Sequence, residues 1–511
     1  MAFAHDSEKA IHDDRSSEQH DGKPVTNAFT SVDDNRDAHS YEDLPRSLLV
    51  KTDLRLIPAL AFSALIDRTD LPSARLNGAE LGLGLGVGQR YTIITCVFFI
   101  TYAQIPANYV FKRSGISPKI WLPGCTLCFG LIKLGSGWVP NWQVLAGVRV
   151  LLGIFEAGLF PGCVYLISNW YPRHVLAKRI AAFYLGGACL GGFGNIIAYG
   201  WGQIAPRYGL AGWQWIFIMM GVLTIVSAII GFVLVPGFPQ NSTTINDHER
   251  KLILKRIEID RHDVVEEKLT VGECVWRCCG GVADPWKRPA LLPLHASRLC
   301  AASRHGFADL ADAFAYFLSL IFRGFGYSVA LSQILSAPPY VFALIYGFGL
   351  GAVSDKQRHR GSYVILSALM ALAGTVGLGY GGSNAGRFAA AFFAQAGCQS
   401  NVSMVVSWST QNQRAVNSAV VVAGGGVRLA LAAASADRSR IGGIVAAVAF
   451  QQKDAPGYIP GLWTVIAGQI VIIAVSCVLM AWYKVQNRKA DEGKRVLEGH
   501  QTVRATLQAA R

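Results

Sequence analysis

The chain has 511 residues, 52% of them hydrophobic and only 16% charged, against about a quarter charged in soluble domains. Its charge collects in residues 1–55, 240–288 and 484–511 and thins out between them, which excludes a soluble enzyme and points to a polytopic membrane protein. The net charge of +14 sits largely in connections between apolar spans, where Lys and Arg fix orientation, so it implies a lipid bilayer and no nucleic acid.

Residues 1–50 are rich in Asp, His, Ser and Arg and contain no apolar signal-peptide core. They read as a disordered cytosolic tail, and membrane entry falls to the first helix. A helix crosses the hydrocarbon core with about 20 apolar residues. The first candidate, Leu54–Ile66, is short. Clear spans follow at Tyr91–Phe111, Ile120–Trp138, Trp142–Trp170, Ile180–Ile204 and Trp213–Pro236. After a polar stretch, others lie at Val329–Val353, Tyr363–Gly381, Ala389–Thr410 and Leu462–Tyr483. Within the polar stretch, "DHERKLILKRIEIDR" sets Leu252, Leu254 and Ile257 among paired charges. That pattern fits an amphipathic helix on the membrane surface and, equally, an ordinary solvated helix.

Two more spans complete an even set. The seventh is apolar only over Phe314–Phe322 and carries Arg298, Arg304, His305 and Asp309 just before it. At about +3 kcal/mol per central charge, that text does not insert as written. The eleventh, Val416–Phe450, is interrupted by "VRLALAAASADRSR" at residues 427–440. Deleting that insert rejoins a glycine-rich span, the signature of a retained intron or frame error, which the spliced transcript would decide. The fold expected is all-α: a polytopic protein of twelve transmembrane helices in two six-helix halves, with helices 1, 7 and 11 damaged. Its segments are a cytosolic tail (1–50), an N-terminal half (51–236), a cytosolic central loop (237–285), a C-terminal half (286–484) and a C-terminal tail (485–511).

Basic residues in short loops set the orientation. Lys112, Arg113, Lys119, Arg173, Lys178, Arg179, Lys356, Arg358, Arg360 and Arg414 share one side. The sparser set, Arg75, Arg90, Arg207, Arg323, Arg387 and Lys453, lies on the other. The richer side, with the central loop and both tails, is the cytosolic one, so the acceptor sequence Asn241-Ser242-Thr243 should stay unglycosylated. The eleven cysteines show no repeating spacing. Cys96, Cys189 and Cys477 read as small core residues, and Cys274, Cys278 and Cys279, with only His295 nearby, lack the second ligand pair of a zinc site. No metal, cofactor or disulfide framework is expected.

Charge inside an apolar span is the informative exception. "WQVLAGVRVLLGIFEAGLFPGCVYLISNWY" holds Arg149 and Glu156. Seven residues turn a helix by about 700°, so the two share a face about 10 Å apart along the axis. Neither faces lipid without a cost of about 2.5–3.5 kcal/mol at mid-helix, so that face points into the protein. Asp67 and Arg68 close the first span with a second acid and base. Two arginines and two carboxylates around a cavity suit a small organic anion carried with protons: guanidinium for the substrate carboxylate, Glu156 and Asp67 for protons. Tyr102, Gln104, Asn195, Trp408 and Asn412 are candidate path-lining residues, each equally readable as an interhelical packing residue. Gly153, Gly158 and "GGACLGGFG" (186–194) read as close helix contacts.

Six spans, a loop and six spans resemble the major facilitator superfamily. "GAVSDKQRHR", with Gly351, Asp355, Lys356, Arg358 and Arg360, resembles its Gly-x-x-x-Asp loop, in which the acid takes a helix N-terminus or a basic residue. "IPAN", "DRTDLPSARLNG", "RVLLGIFEAGLFPGCVYLISNWYPR", "GLAGWQWIFIMMG", "SAPPYVFA" and "DAPGYIPG" are similar to the anion:cation symporter branch, with fungal allantoate- and nicotinate-type carboxylate permeases the nearest likeness. The resemblance covers about residues 50–485. It implies a monomeric secondary active transporter of the plasma membrane, not an enzyme, with both termini cytosolic. Such a transporter is expected to take up a carboxylate such as nicotinate, allantoate or pantothenate with protons by alternating access. By the same likeness, Asp67 and Glu156 carry protons and Arg68 and Arg149 handle anion and gating. The alternatives are a sugar or drug carrier, for which cavity-facing arginines are not needed, and an inactive product of a mis-spliced gene.

Overall fold

The computed structural model describes residues 46–64, 70–101, 110–111, 116–171, 176–241, 246–261, 317–357, 359–421, 444–445, 447–450, 454 and 457–491. All regular structure among them is helical. Helix α1 is Arg46–Ala64, α2 is Asp70–Ala74, and a π-helical turn (Arg75–Ala79) and a short turn (Glu80–Gly82) continue it. Helices α3 (Arg90–Thr101), α4 (Pro118–Gly135), α5 (Trp142–Glu156), α6 (Leu159–Trp170), α7 (Leu176–Gly202) and α8 (Gly212–Leu234) follow. Beyond α9 (Asp247–Arg261) come α10 (Val329–Ile334), α11 (Ala337–Gln357), α12 (Arg360–Tyr380), α13 (Asn384–Val421) and α14 (Ile459–Asp491). Among the described residues, seven helical segments are long and apolar enough to cross a membrane, and Arg90–Thr101 is a shorter apolar helix. The charged text before residue 317 and the insert at 427–440 lie outside the described residues.

The first helix is longer than its apolar run. It starts at Arg46 and carries Asp53 within it, because that carboxylate is not left to water: Arg179 of α7 grips it through Nε and Nη2 at 2.7 and 3.0 Å. A polar residue with a partner does not end a helix.

Side-chain sorting is that of a bundle in lipid. On α8, Gly221, Thr224, Ser227, Ala228 and Gly231 are buried while Val222, Val226, Ile229 and Val233 are exposed. Small residues face neighbours because lipid gives large apolar groups no reason to turn inward, and close backbone approach supplies the packing. A Cβ on Gly221 would lie 2.5 Å from the Leu134 nitrogen of α4. Ala394 and Gly397 of α13 press in the same way on Gly374 and Ala371 of α12.

The helices form two packing groups. In one, α4 packs on α8 and α5, α3 on α5, and α2 on α7 and α8. In the other, α12 packs on α13 and α14, and α11 on α13. Helix α7 joins them, touching α10, α11 and α13. Asn195 and Ser336 meet near one end of that seam, and Lys178 and Asp355 meet at the other.

Helix α9 coincides with the amphipathic stretch. Among its described side chains Ile253 is buried, Leu254 half-buried and Leu252 exposed, and the side chain of Ile257 lies outside them. The helix rests on α6 through a narrow contact.

Candidate functional site

The span from Trp142 to Trp170 is broken at its midpoint. Helix α5 ends at Glu156, Ala157 and Gly158 form a turn, and α6 begins at Leu159. Pro161 is the cause: it has no N–H to give the Ala157 carbonyl and its ring crowds that oxygen. Leu145, Arg149, Leu152, Gly153 and Glu156 are buried, while Leu151 and Ile154 are exposed. The two charges therefore do share the inward face. Arg149 lies over the Phe98 ring of α3 at 6.0 Å. Buried to 6% exposure, it has no ion-pair partner among the described residues. A buried guanidinium without a counter-ion carries an uncompensated charge. Glu156 is equally buried and stands at the break, where discontinuous helices commonly place ion and substrate sites.

Elsewhere in the bundle lie buried charges whose burial the sequence reasoning missed. Asp70 of α2 and Lys133 of α4 form an ion pair, both fully buried. A lysine in "LCFGLIKLGSGW" is itself the signal, since a charge inside a span requires a partner. Arg75, which the loop count placed on an exposed turn, is buried. Its guanidinium is 4.4 Å from the Tyr91 ring centre and its Nε 3.2 Å from Glu80. Arg179 also leaves the solvent, pairing with Asp53 and lying 4.2 Å from the Tyr171 ring centre. Burial and the nearby Asp53 carboxylate push the Tyr171 hydroxyl above its ordinary value.

Asn195 sits at the seam between the groups. Its Oδ1 accepts from Ser73 of α2 at 2.9 Å, and its Nδ2 donates to Ser336, between α10 and α11, at 3.0 Å. One turn away Gly192 meets Tyr340, whose ring carbon would lie 2.7 Å from an added Cβ. Asn195 therefore bridges helices, and the neighbouring glycine is what lets α7 and α11 approach.

At the opposite end, Asp355 Oδ2 accepts the Lys178 backbone N–H at 2.8 Å, within the first turn of α7, and Oδ1 accepts from Arg360 Nη2 at 2.6 Å. Negative charge at a helix N-terminus meets unpaired N–H groups and the positive end of the dipole. Arg360 is buried and also donates to the Ser407 carbonyl of α13 at 3.0 Å, so it ties α11, α12 and α13 together. Lys356 is exposed, and Gly351 comes close to Ala181 and Lys178 of α7. Trp408 is buried, and its ring abuts Gly361 at the start of α12. Asp67, Arg68, Tyr102, Gln104 and Arg358 lie outside the described residues, and Asn412 is within α13 with its side chain outside them. No group of three or more metal-ligating side chains occurs among the described residues.

The family model described as Major Facilitator Superfamily matches residues 73–435. The chain belongs to that superfamily. It is a multi-pass membrane protein and a secondary active transporter, not an enzyme. Over 89% of its length the transporter is 27% identical to "MFS transporter prlL" of Fungal sp. (strain NRRL 50135), covering 90% of that protein. It is 26% identical to the "High-affinity nicotinic acid transporter" of Saccharomyces cerevisiae, over 90% of this chain and 82% of that one. Among solved structures, the proton:xylose symporter XylE bound to 6-bromo-6-deoxy-D-glucose superposes with a TM-score of 0.59 at 15% identity, over 85% of this chain and 96% of that one. That likeness establishes the shared fold.

Proposed function

We propose that the transporter carries a small organic anion, a carboxylate of the nicotinate, allantoate or pantothenate kind, together with protons. The observation that carries this reading is Arg149: a buried guanidinium with no ion-pair partner among the described residues, on the inward face of a helix that breaks directly after Glu156. A planar guanidinium takes a carboxylate through two parallel hydrogen bonds. Glu156 and Asp67 are the proton carriers, and Arg68 is the second cation. A carboxylate that is protonated as the site closes crosses the occluded state without a bare buried charge. The nicotinic acid relative and the symporter-branch motifs support the same substrate class.

Two halves, residues 51–236 and 286–484, rock about this site in the proposed cycle. Asn195–Ser336 and Asp355–Lys178 are contacts that opening at one end or the other would break. The end carrying Asp355 and Lys178 is the basic one and faces the cytosol with both termini. The transporter works as a single subunit in the plasma membrane.

The test is Glu156→Gln, measured as uptake of labelled nicotinate into proteoliposomes. The variant should bind and exchange substrate yet lose accumulation driven by an imposed pH gradient. Accumulation that still follows the gradient removes Glu156 from coupling.

A further inference from the structure

Two buried arginines stand over one face of α3. Tyr91 and Phe98, both buried, are seven residues apart and share that face about 10 Å apart along the axis. Arg75 lies 4.4 Å from the Tyr91 ring centre and Arg149 lies 6.0 Å from that of Phe98. Helices α3 and α5 run side by side from a common end, since Arg90 at the start of one lies over Trp142 at the start of the other, at 5.4 Å. Arg75 is therefore near that end and Arg149 two turns deeper, with Tyr91 within electrostatic reach of both. The end is the one marked by Asn195, whose partner Ser73 is two residues before Arg75.

The ion pair of Arg75 is unlike the others around it. Asp53 holds Arg179 through two nitrogens at 2.7 and 3.0 Å, and Asp355 meets Arg360 at 2.6 Å. Glu80 meets Arg75 through Nε alone at 3.2 Å, longer than the roughly 2.7–2.9 Å of a charge-assisted bond, and leaves the paired edge of the guanidinium unused. Glu80 is half-buried and stands in a three-residue turn where the next residue, Leu81, is 91% exposed. Its carboxylate is thus on the watery side of Arg75, with room to swing outward. Tyr458, which leads into α14 of the other packing group, lies within electrostatic reach of Arg75, Glu80 and Asp454 and packs in one cluster with Tyr91. Arg90, held to the Gly84 carbonyl at 3.2 Å, balances Asp454. The pair therefore stands where the two groups meet.

We infer that Arg75 is an outer docking station for the substrate anion, and that Glu80 is a resident carboxylate which the substrate displaces before it passes to Arg149. The inference rests on the carboxylate reading above and adds a second site to it. Exchanging one carboxylate for another leaves the guanidinium paired throughout, so docking strands no buried charge on Arg75. A free carboxylate also takes the planar fork through two parallel bonds where Glu80 takes one. Two cations over one face of α3 then let the anion advance about 10 Å from guanidinium to guanidinium.

The experiment is equilibrium binding of labelled nicotinate to the purified full-length transporter, counted per monodisperse monomer. The wild type should bind two per chain, and Arg149→Ala and Arg75→Gln should each bind one. In the Arg149→Ala background, Glu80→Gln removes the competing carboxylate and should tighten the remaining site about tenfold. Arg75→Lys in that background keeps the charge, loses the fork and should weaken the site about tenfold. A pair that only braces its turn gives the opposite sign, so unchanged or weaker binding in Glu80→Gln overturns the inference. A single wild-type site that Arg149→Ala abolishes also overturns it and leaves the clamp at Arg149 standing. A single site that survives Arg149→Ala and is lost in Arg75→Gln overturns the clamp and leaves the outer station. No binding by the wild type overturns both.

Discussion

Replacing Asn195 by alanine removes the hydrogen bond that joins the two helix groups at one end of their seam. Two bonds are lost, from Ser73 and to Ser336, but only the second crosses between groups. Interhelical hydrogen bonds in membranes contribute about 0.6 kcal/mol on average and up to about 1.7. The open state at that end should therefore gain about three- to eighteen-fold in population. Amide hydrogen exchange of the purified transporter reads this directly, since opening exposes the backbone of Val329–Ile334 and the adjoining end of α7. Ser336→Ala should reproduce the rise and Ser73→Ala, which breaks only the bond within one group, should not. The reasoning fails if Asn195→Ala leaves exchange at α10 unchanged, or if the rise appears only around Asp355.

Asp355→Asn weakens the contacts to the Lys178 N–H and Arg360 at the other end. Hydrogen exchange should then rise around residues 176–182 and 351–357, the reverse of the Asn195 pattern, and equal opening at both ends would contradict it. Lys133→Met strands a buried Asp70 carboxylate and should cost about 3–5 kcal/mol, seen as loss of monodisperse protein on size exclusion; Asp70→Leu with Lys133→Met should recover most of it. Gly192→Ala drives a methyl group into the Tyr340 ring and should lower stability by about 1–3 kcal/mol, read as a lower Tm that Tyr340→Leu partly restores.

The sequence made the transporter's spans legible to within a few residues, from Pro118–Gly135 through Arg360–Tyr380, because hydropathy over about 20 residues is a property of the local chain in lipid. The charged pair Arg149 and Glu156 was legible for the same reason. Lys133 carried the same signal, but its partner Asp70 lies 63 residues earlier, and pairing across that distance is a tertiary fact. Arg75, Arg179 and Arg360 looked like loop cations by position and are buried because Glu80, Asp53 and Asp355 reach them.

By itself, then, the order of residues determined that this chain is a polytopic helical membrane protein and which span carries formal charge, since both follow from the free energy of moving each segment out of water. Only the tertiary structure decided which of those charges are already neutralised. That division between Arg149 on one side and Lys133 on the other depends on neighbours contributed by other helices.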